Sequence, residues 1–87
     1  MNPTPAQIGN LIKQTRDLSG LTQRDLALTS GTGLRFIIEL EHGKPTCHLG
    51  KVLTVLDTLG ISIKMSGSAI PDEPFPEESE EGEWNEP

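Results

Sequence analysis

From Ile8 to Leu59 the apolar residues recur at helical spacing, and each run is bounded by turn or capping residues. Ile8, Leu11, Ile12 and Thr15 fall on one face of a first helix. Thr4-Pro5 precedes them, a capping hydroxyl followed by a proline at the first helical position, where its missing N–H leaves no bond unmade. Gly20 closes that segment. Thr22-Gln23-Arg24-Asp25 has the form of a capping box, with a carboxylate three residues after the threonine, and Leu26 is the buried anchor of a short second helix. Ser30-Gly31-Thr32-Gly33 reads as a turn. A third helix is expected from about Leu34 to His42, ended by Gly43 and Pro45. Thr46 is placed to cap a fourth, with Leu49, Val52, Leu53, Leu56 and Leu59 as its apolar face and Gly60 as its stop. At Ile61-Ser62-Ile63-Lys64-Met65 the period changes to two, the pattern of a half-buried strand. A lone strand in a helical domain has no partner, so a second copy of the chain is expected to supply one.

The chain of 87 residues has room for one small domain. Ile8, Leu11, Leu26, Ile37, Leu40, Leu53 and Leu56 are its expected core. That suffices for a compact helical unit but not for an elaborate active site. No Ser/His/Asp or Cys/His pairing has support beyond composition, and no glycine-rich loop has phosphate-cradling spacing, so neither an enzyme nor a cofactor is expected. His42, Cys47 and His48 offer at most three metal ligands where a structural zinc takes four, so no metal site is expected either. No apolar run approaches the ~20 residues that cross a bilayer. The polar, proline-bearing start and the single cysteine fit a cytoplasmic protein.

The net charge of −6 argues against a nucleic-acid partner until it is partitioned. Residues 1–67 carry seven basic and five acidic side chains, a net of +2; residues 68–87 carry eight carboxylates and no base, a net of −8. The bulk charge therefore describes the tail, and the domain itself is mildly basic. A boundary falls at Ser66-Gly67-Ser68, dividing a domain of residues 1–66 from an acidic tail of residues 67–87. In the tail Pro71, Pro74, Pro76 and Pro87 stand among carboxylates, a composition that does not repay the entropy of ordering. Disorder is expected there.

Helix, short helix, glycine turn, helix, helix: this order, with Gly20-Leu21-Thr22-Gln23 leading into Leu26-Ala27, Gly31 at the turn, and Ile37, Leu40, Glu41, Gly43 and Lys44 following, resembles the lambda-repressor-like helix-turn-helix family. The match runs from about residue 8 to 60. It implies an all-α fold of four to five helices with a short C-terminal strand pairing across a dimer. It also implies a function in DNA binding, through Gln23, Thr32, Gly33, Leu34, Arg35, Phe36, Glu39 and Lys44. Arg16 and Glu41 occupy positions that form a partly buried ion pair in relatives. Gln23, at a helix start, suits a phosphate through its amide or its backbone N–H. The third helix departs from the family, where Gln, Asn, Ser or Thr are common. Here Arg35 alone suits a base edge, guanine O6 and N7. Leu34 and Phe36 suit thymine methyls or packing, Ile38 the core or an interface, and Glu39 either accepts from cytosine or repels phosphate. Phosphate contacts and DNA shape are expected to make up the difference.

Such a domain followed by an alternating strand (Ile61, Ile63, Met65) and an acidic extension with Glu83-Trp84 near its end is similar to the antitoxins of HipA/HipB modules. The resemblance implies a homodimeric repressor of its own operon, bound to an inverted-repeat operator in double-stranded DNA. It further implies neutralisation of a HipA-like serine/threonine kinase toxin, with Trp84 as a candidate docking residue. The alternative is a stand-alone regulator, or a protein-interaction module whose acidic tail mimics nucleic acid.

Overall fold

A computed structural model describes residues 2–68 of the chain. Four helices follow one another: α1 Pro5–Leu18, α2 Gln23–Ser30, α3 Leu34–Glu41 and α4 Leu49–Thr58. This is an all-α architecture. Trp84 and nearly all of the acidic tail lie outside the described residues.

Local chemistry sets most of the helix ends. Thr4 accepts from the Gln7 N–H at 3.1 Å while the Gln7 amide oxygen accepts from the Thr4 N–H at 2.9 Å, so both orphan donors are satisfied. Thr22 and Asp25 repeat this reciprocal arrangement at α2, with both bonds at 3.0 Å. Bonds from the Thr22 backbone and then its hydroxyl lower the Asp25 carboxyl from its ordinary value. At the other ends, α1, α3 and α4 close alike. The N–H of a left-handed glycine (Gly20, Gly43, Gly60) reaches back to Asp17, Leu40 and Asp57, and the next residue's N–H reaches Arg16, Glu39 and Leu56. The α4 start differs from expectation. Its cap is His48, whose Nδ1 accepts from the Lys51 N–H at 3.3 Å, and not Thr46, which lies too far out once helical geometry begins at Leu49.

α3 packs against α1 and α2, and α2 packs against α4. The buried core is Ile12, Leu26, Ala27, Ile37, Leu40, Val52, Val55 and Leu56, with Ile8, Leu34, Phe36, Cys47, Leu59 and Ile61 against its edges. Full burial of a side chain such as Ile12 or Ile37 contributes about 1.5–3 kcal/mol. Two faces are rotated from the expected ones. On α1 the inward stripe is Gly9, Ile12 and Arg16, which leaves Leu11 at its exposed margin. On α4 the stripe is Val52, Val55 and Leu56, so Val55 takes the place expected of Leu53, and Leu49 and Leu53 stay exposed.

The α1 rotation has a steric cause. Gly9 lies under the end of α3, where an added Cβ would collide with the Leu40 carbonyl oxygen and sit 3.0 Å from that of Glu41. Only a residue without a side chain lets the two backbones approach so closely.

The alternating segment Ile61–Met65 forms neither helix nor strand in the single chain. A ladder needs a second backbone, and the described residues place none beside it. The Ile61 N–H anchors the segment to the Leu56 carbonyl at 2.9 Å. No helix among the described residues is long and apolar enough to cross a membrane.

Gly9→Ala should destabilise the domain by about 1–3 kcal/mol, because the opposing atoms are backbone and cannot rotate aside. Urea denaturation followed by circular dichroism measures it; an unchanged midpoint would refute the close approach.

Candidate nucleic-acid interface

Arg16, from the last turn of α1, is a buried charged residue. Its Nε donates to Glu41 Oε2 at 2.7 Å and its Nη2 to Glu41 Oε1 at 3.0 Å, while Nη1 donates to the Leu21 carbonyl at 2.8 Å. The Glu41 side chain, at the end of α3, is only 2% exposed. The bonds to Glu41 raise the Arg16 pKa further, against the opposing cost of burial. Gln23 Nε2 adds a third donor to Glu41, reaching Oε1 at 3.0 Å. One carboxylate thereby joins the end of α1, the start of α2 and the end of α3.

The turn between α2 and α3 is built from glycines and two hydroxyls. Gly31 takes φ 70° and donates to the Ala27 carbonyl, closing α2. Ser30 Oγ and Thr32 Oγ1 lie 2.9 Å apart, bracing the turn. Gly33, at φ 93° and ψ 146°, precedes α3 and brings no side-chain cap to it. Among the described residues no side chain caps the first N–H groups of α3, and the N-terminal end of a helix favours anions.

α3 divides into two faces. Ile37 and Leu40 point into the core. Arg35 points outward, with its side chain 86% exposed. Glu39, partly exposed, accepts from Arg35 Nε at 3.3 Å through Oε2 and from Lys44 Nζ at 3.1 Å through Oε1.

The residues singled out in the sequence are thus distributed unevenly. Thr32, Gly33, Arg35, Glu39 and Lys44 lie on the turn, on α3 or just beyond it. Gln23 spends one amide N–H on Glu41, and its backbone N–H sits at the start of α2. Phe36 is half-buried, packed against the core, with Lys51 Nζ 5.7 Å from its ring centroid. Leu34 is half-buried as well. It lines a shallow depression with Arg24, Ala27, Leu28, Gly31 and Gly33. Arg24, from the first turn of α2, was not singled out in the sequence, because only the fold brings it beside the glycine turn. His42, Cys47 and His48 are dispersed in use: His42 Nδ1 bonds the Ile38 carbonyl, Cys47 Sγ the Lys44 carbonyl, and His48 caps α4.

Two short helices joined by a braced glycine turn, the second clamped from behind and bare in front, form a helix-turn-helix. A regulator from Sinorhizobium fredii (strain NBRC 101917 / NGR234), the uncharacterized HTH-type transcriptional regulator y4mF, is 57% identical over 60 residues, which span 69% of this chain and 79% of that protein. This chain belongs to the HTH-type transcriptional regulators. No protein-family model matches it. Among solved structures the regulator is similar to an MDT protein and to HipB in a HipB–O4 20mer complex, each with a TM-score of 0.69, 25% identity, and coverage of 78% of this chain and 96% of the other. The same values relate it to a chain of the HipA–HipB–O2–O3 complex. Its fold is HipB-like.

Glu41→Ala should cost the regulator about 3–5 kcal/mol, because Arg16 would be left as a buried charge without its partner. The double variant Arg16→Met/Glu41→Leu should recover much of that loss. Chemical denaturation of the three proteins checks both; a single variant as stable as the parent would show that the clamp contributes nothing.

Proposed function

We propose that this regulator is a dimeric cytoplasmic repressor that lays α3 in the major groove of an inverted-repeat operator. We further propose that it acts as the antitoxin of a HipA-like serine/threonine kinase. The observation that carries the reading is the two-faced α3: Ile37, Leu40 and Glu41 tie it to the domain, while Arg35 and the first turn face outward. On this reading Arg35 addresses guanine O6 and N7. Thr32, the Gly33 backbone, the Gln23 N–H, Arg24 and Lys44 address phosphates, which set register without reading sequence.

The second copy is supported by what the single chain leaves bare. Leu11, Leu53, Ile63 and Met65 are each about half exposed, and Leu11, Ile61 and Ile63 line one depression with Leu56. Pairing of Ile61–Met65 with its counterpart would supply the missing ladder and cover those side chains together. Two copies would then present α3 helices to half-sites about 34 Å apart, one helical turn, or a multiple of that. The kinase partner is supported by the shared fold with HipB, which is seen assembled with HipA and with O2 and O3.

Binding of the full chain to the duplex upstream of its own coding sequence should weaken by about 10³-fold or more between 50 and 200 mM salt, as counterion release requires. Arg35→Ala should relax preference at one base pair per half-site by about 1–3 kcal/mol without altering the melting temperature. Absence of specific binding at low salt would place the protein instead among interaction modules. Co-purification with a kinase encoded beside it tests the antitoxin role.

Ile63→Asp should convert the dimer to monomer in sedimentation equilibrium, since it sets a carboxylate in the covered apolar strip. A variant that still sediments as a dimer would exclude this interface.

A further inference from the structure

The geometry points to Glu39 as a positioning residue for sequence discrimination, aiming Arg35 at a base and withholding Arg35 and Lys44 from indiscriminate phosphate binding. This role rests on the DNA-binding reading above and is distinct from contact between Glu39 and cytosine.

Arg35 has a long, highly exposed side chain, and among the described residues only Glu39 bonds it. Glu39 Oε2 takes its Nε, one turn along the same helix. That leaves the two terminal Nη groups unengaged by Glu39, and these donors can meet guanine O6 and N7 as a fork. Holding the guanidinium in one orientation before contact reduces the rotamer entropy lost on binding. A free arginine would spread its donors over phosphates and bases alike.

The other carboxylate oxygen is used differently. Lys44 follows the turn at Gly43, and its backbone N–H bonds the Glu39 carbonyl at 3.1 Å while its ammonium bonds Glu39 Oε1 at 3.1 Å. Both bonds return to the same residue, so Lys44 cannot swing away without breaking its tie to the carboxylate. Hydrogen bonds from Lys44 first and Arg35 second hold the Glu39 carboxyl below its ordinary pKa, so it stays ionised at neutral pH. The exposed side of α3 then carries two cations and one anion where it would carry two unopposed cations. Phosphates reach these cations only by competing with a fixed carboxylate. At the correct base the competition does not arise, because Glu39 stays on Nε while the Nη pair contacts guanine.

Glu39→Gln separates this role from others. The full-length variant and parent are compared on a randomised duplex pool by binding-site selection, and on one random-sequence duplex by titration across salt. The variant is expected to bind the random duplex more tightly, with a salt slope steeper by about one unit for each additional phosphate that the dimer neutralises. Its enrichment of guanine at the position read by Arg35 should fall by about tenfold. In an Arg35→Ala background the same change should still raise random-duplex affinity through Lys44 but leave base preference unmoved. A merely structural role would shift the melting temperature and not these readouts. If the parent selects a sequence and Glu39→Gln matches it in random-duplex affinity, salt slope and base preference, this assignment is overturned and the DNA-binding reading stands. If the parent selects no sequence, both fall.

Discussion

The buried bond between Arg16 and Glu41 is the constraint on which the remaining geometry depends. Neither residue is tolerated in a core alone: a guanidinium loses its water there, and so does a carboxylate. Together, with the Leu21 carbonyl taking Nη1 and the Gln23 amide supplying a further donor, every guanidinium nitrogen and both carboxylate oxygens make a hydrogen bond. Breaking one contact strands a charge, so the three helix ends meeting at Glu41 move as a unit or not at all. An apolar pair would hold them with comparable strength but with little directionality. The ion pair adds orientation to α3.

Rigidity behind α3 permits openness in front of it. The helix is short, and eight residues do not hold a helix in water on their own. It persists because Ile37 and Leu40 are buried and its C-terminal end is bonded at Glu41 and closed at Gly43. Its N-terminal end begins at a glycine with no side chain to cap it. The same close approach that seats α3, at Gly9 of α1, turns Leu11 outward, and the rotation of α4 does the same to Leu53. Interior packing thus determines where this transcriptional regulator leaves apolar side chains exposed in the single chain.

Much of the protein is legible in its residues alone because the signals are local. Thr4 with Gln7, Thr22 with Asp25, and glycines just past the helix ends act over three to six positions, so neighbouring letters contain the whole interaction. Helix number, order and approximate bounds follow, as does the family to which the fold belongs. The exception, the start of α4, has the same origin: Thr46 and His48 are both able to cap, and the path of the chain after Pro45 chooses between them.

What the sequence could not determine were the relations between elements. A helical repeat tolerates a rotation of tens of degrees with the same set of leucines, so it did not say that Val55 is buried and Leu53 is not. It left Gln23 open to use its amide or its backbone N–H, and Phe36 to meet thymine methyls or pack, because each sits at a suitable step of its helix. Only the folded chain brings Glu41 to the amide of one and the core and Lys51 to the ring of the other. It presented Arg35, Glu39 and Lys44 as three separate candidates, and the turn at Gly43 makes them one cluster. Caps and turns are short-range and additive enough to be spelled in adjacent residues. Burial and pairing are settled by competition among distant groups for the same space and the same acceptors, and that competition is resolved only in three dimensions.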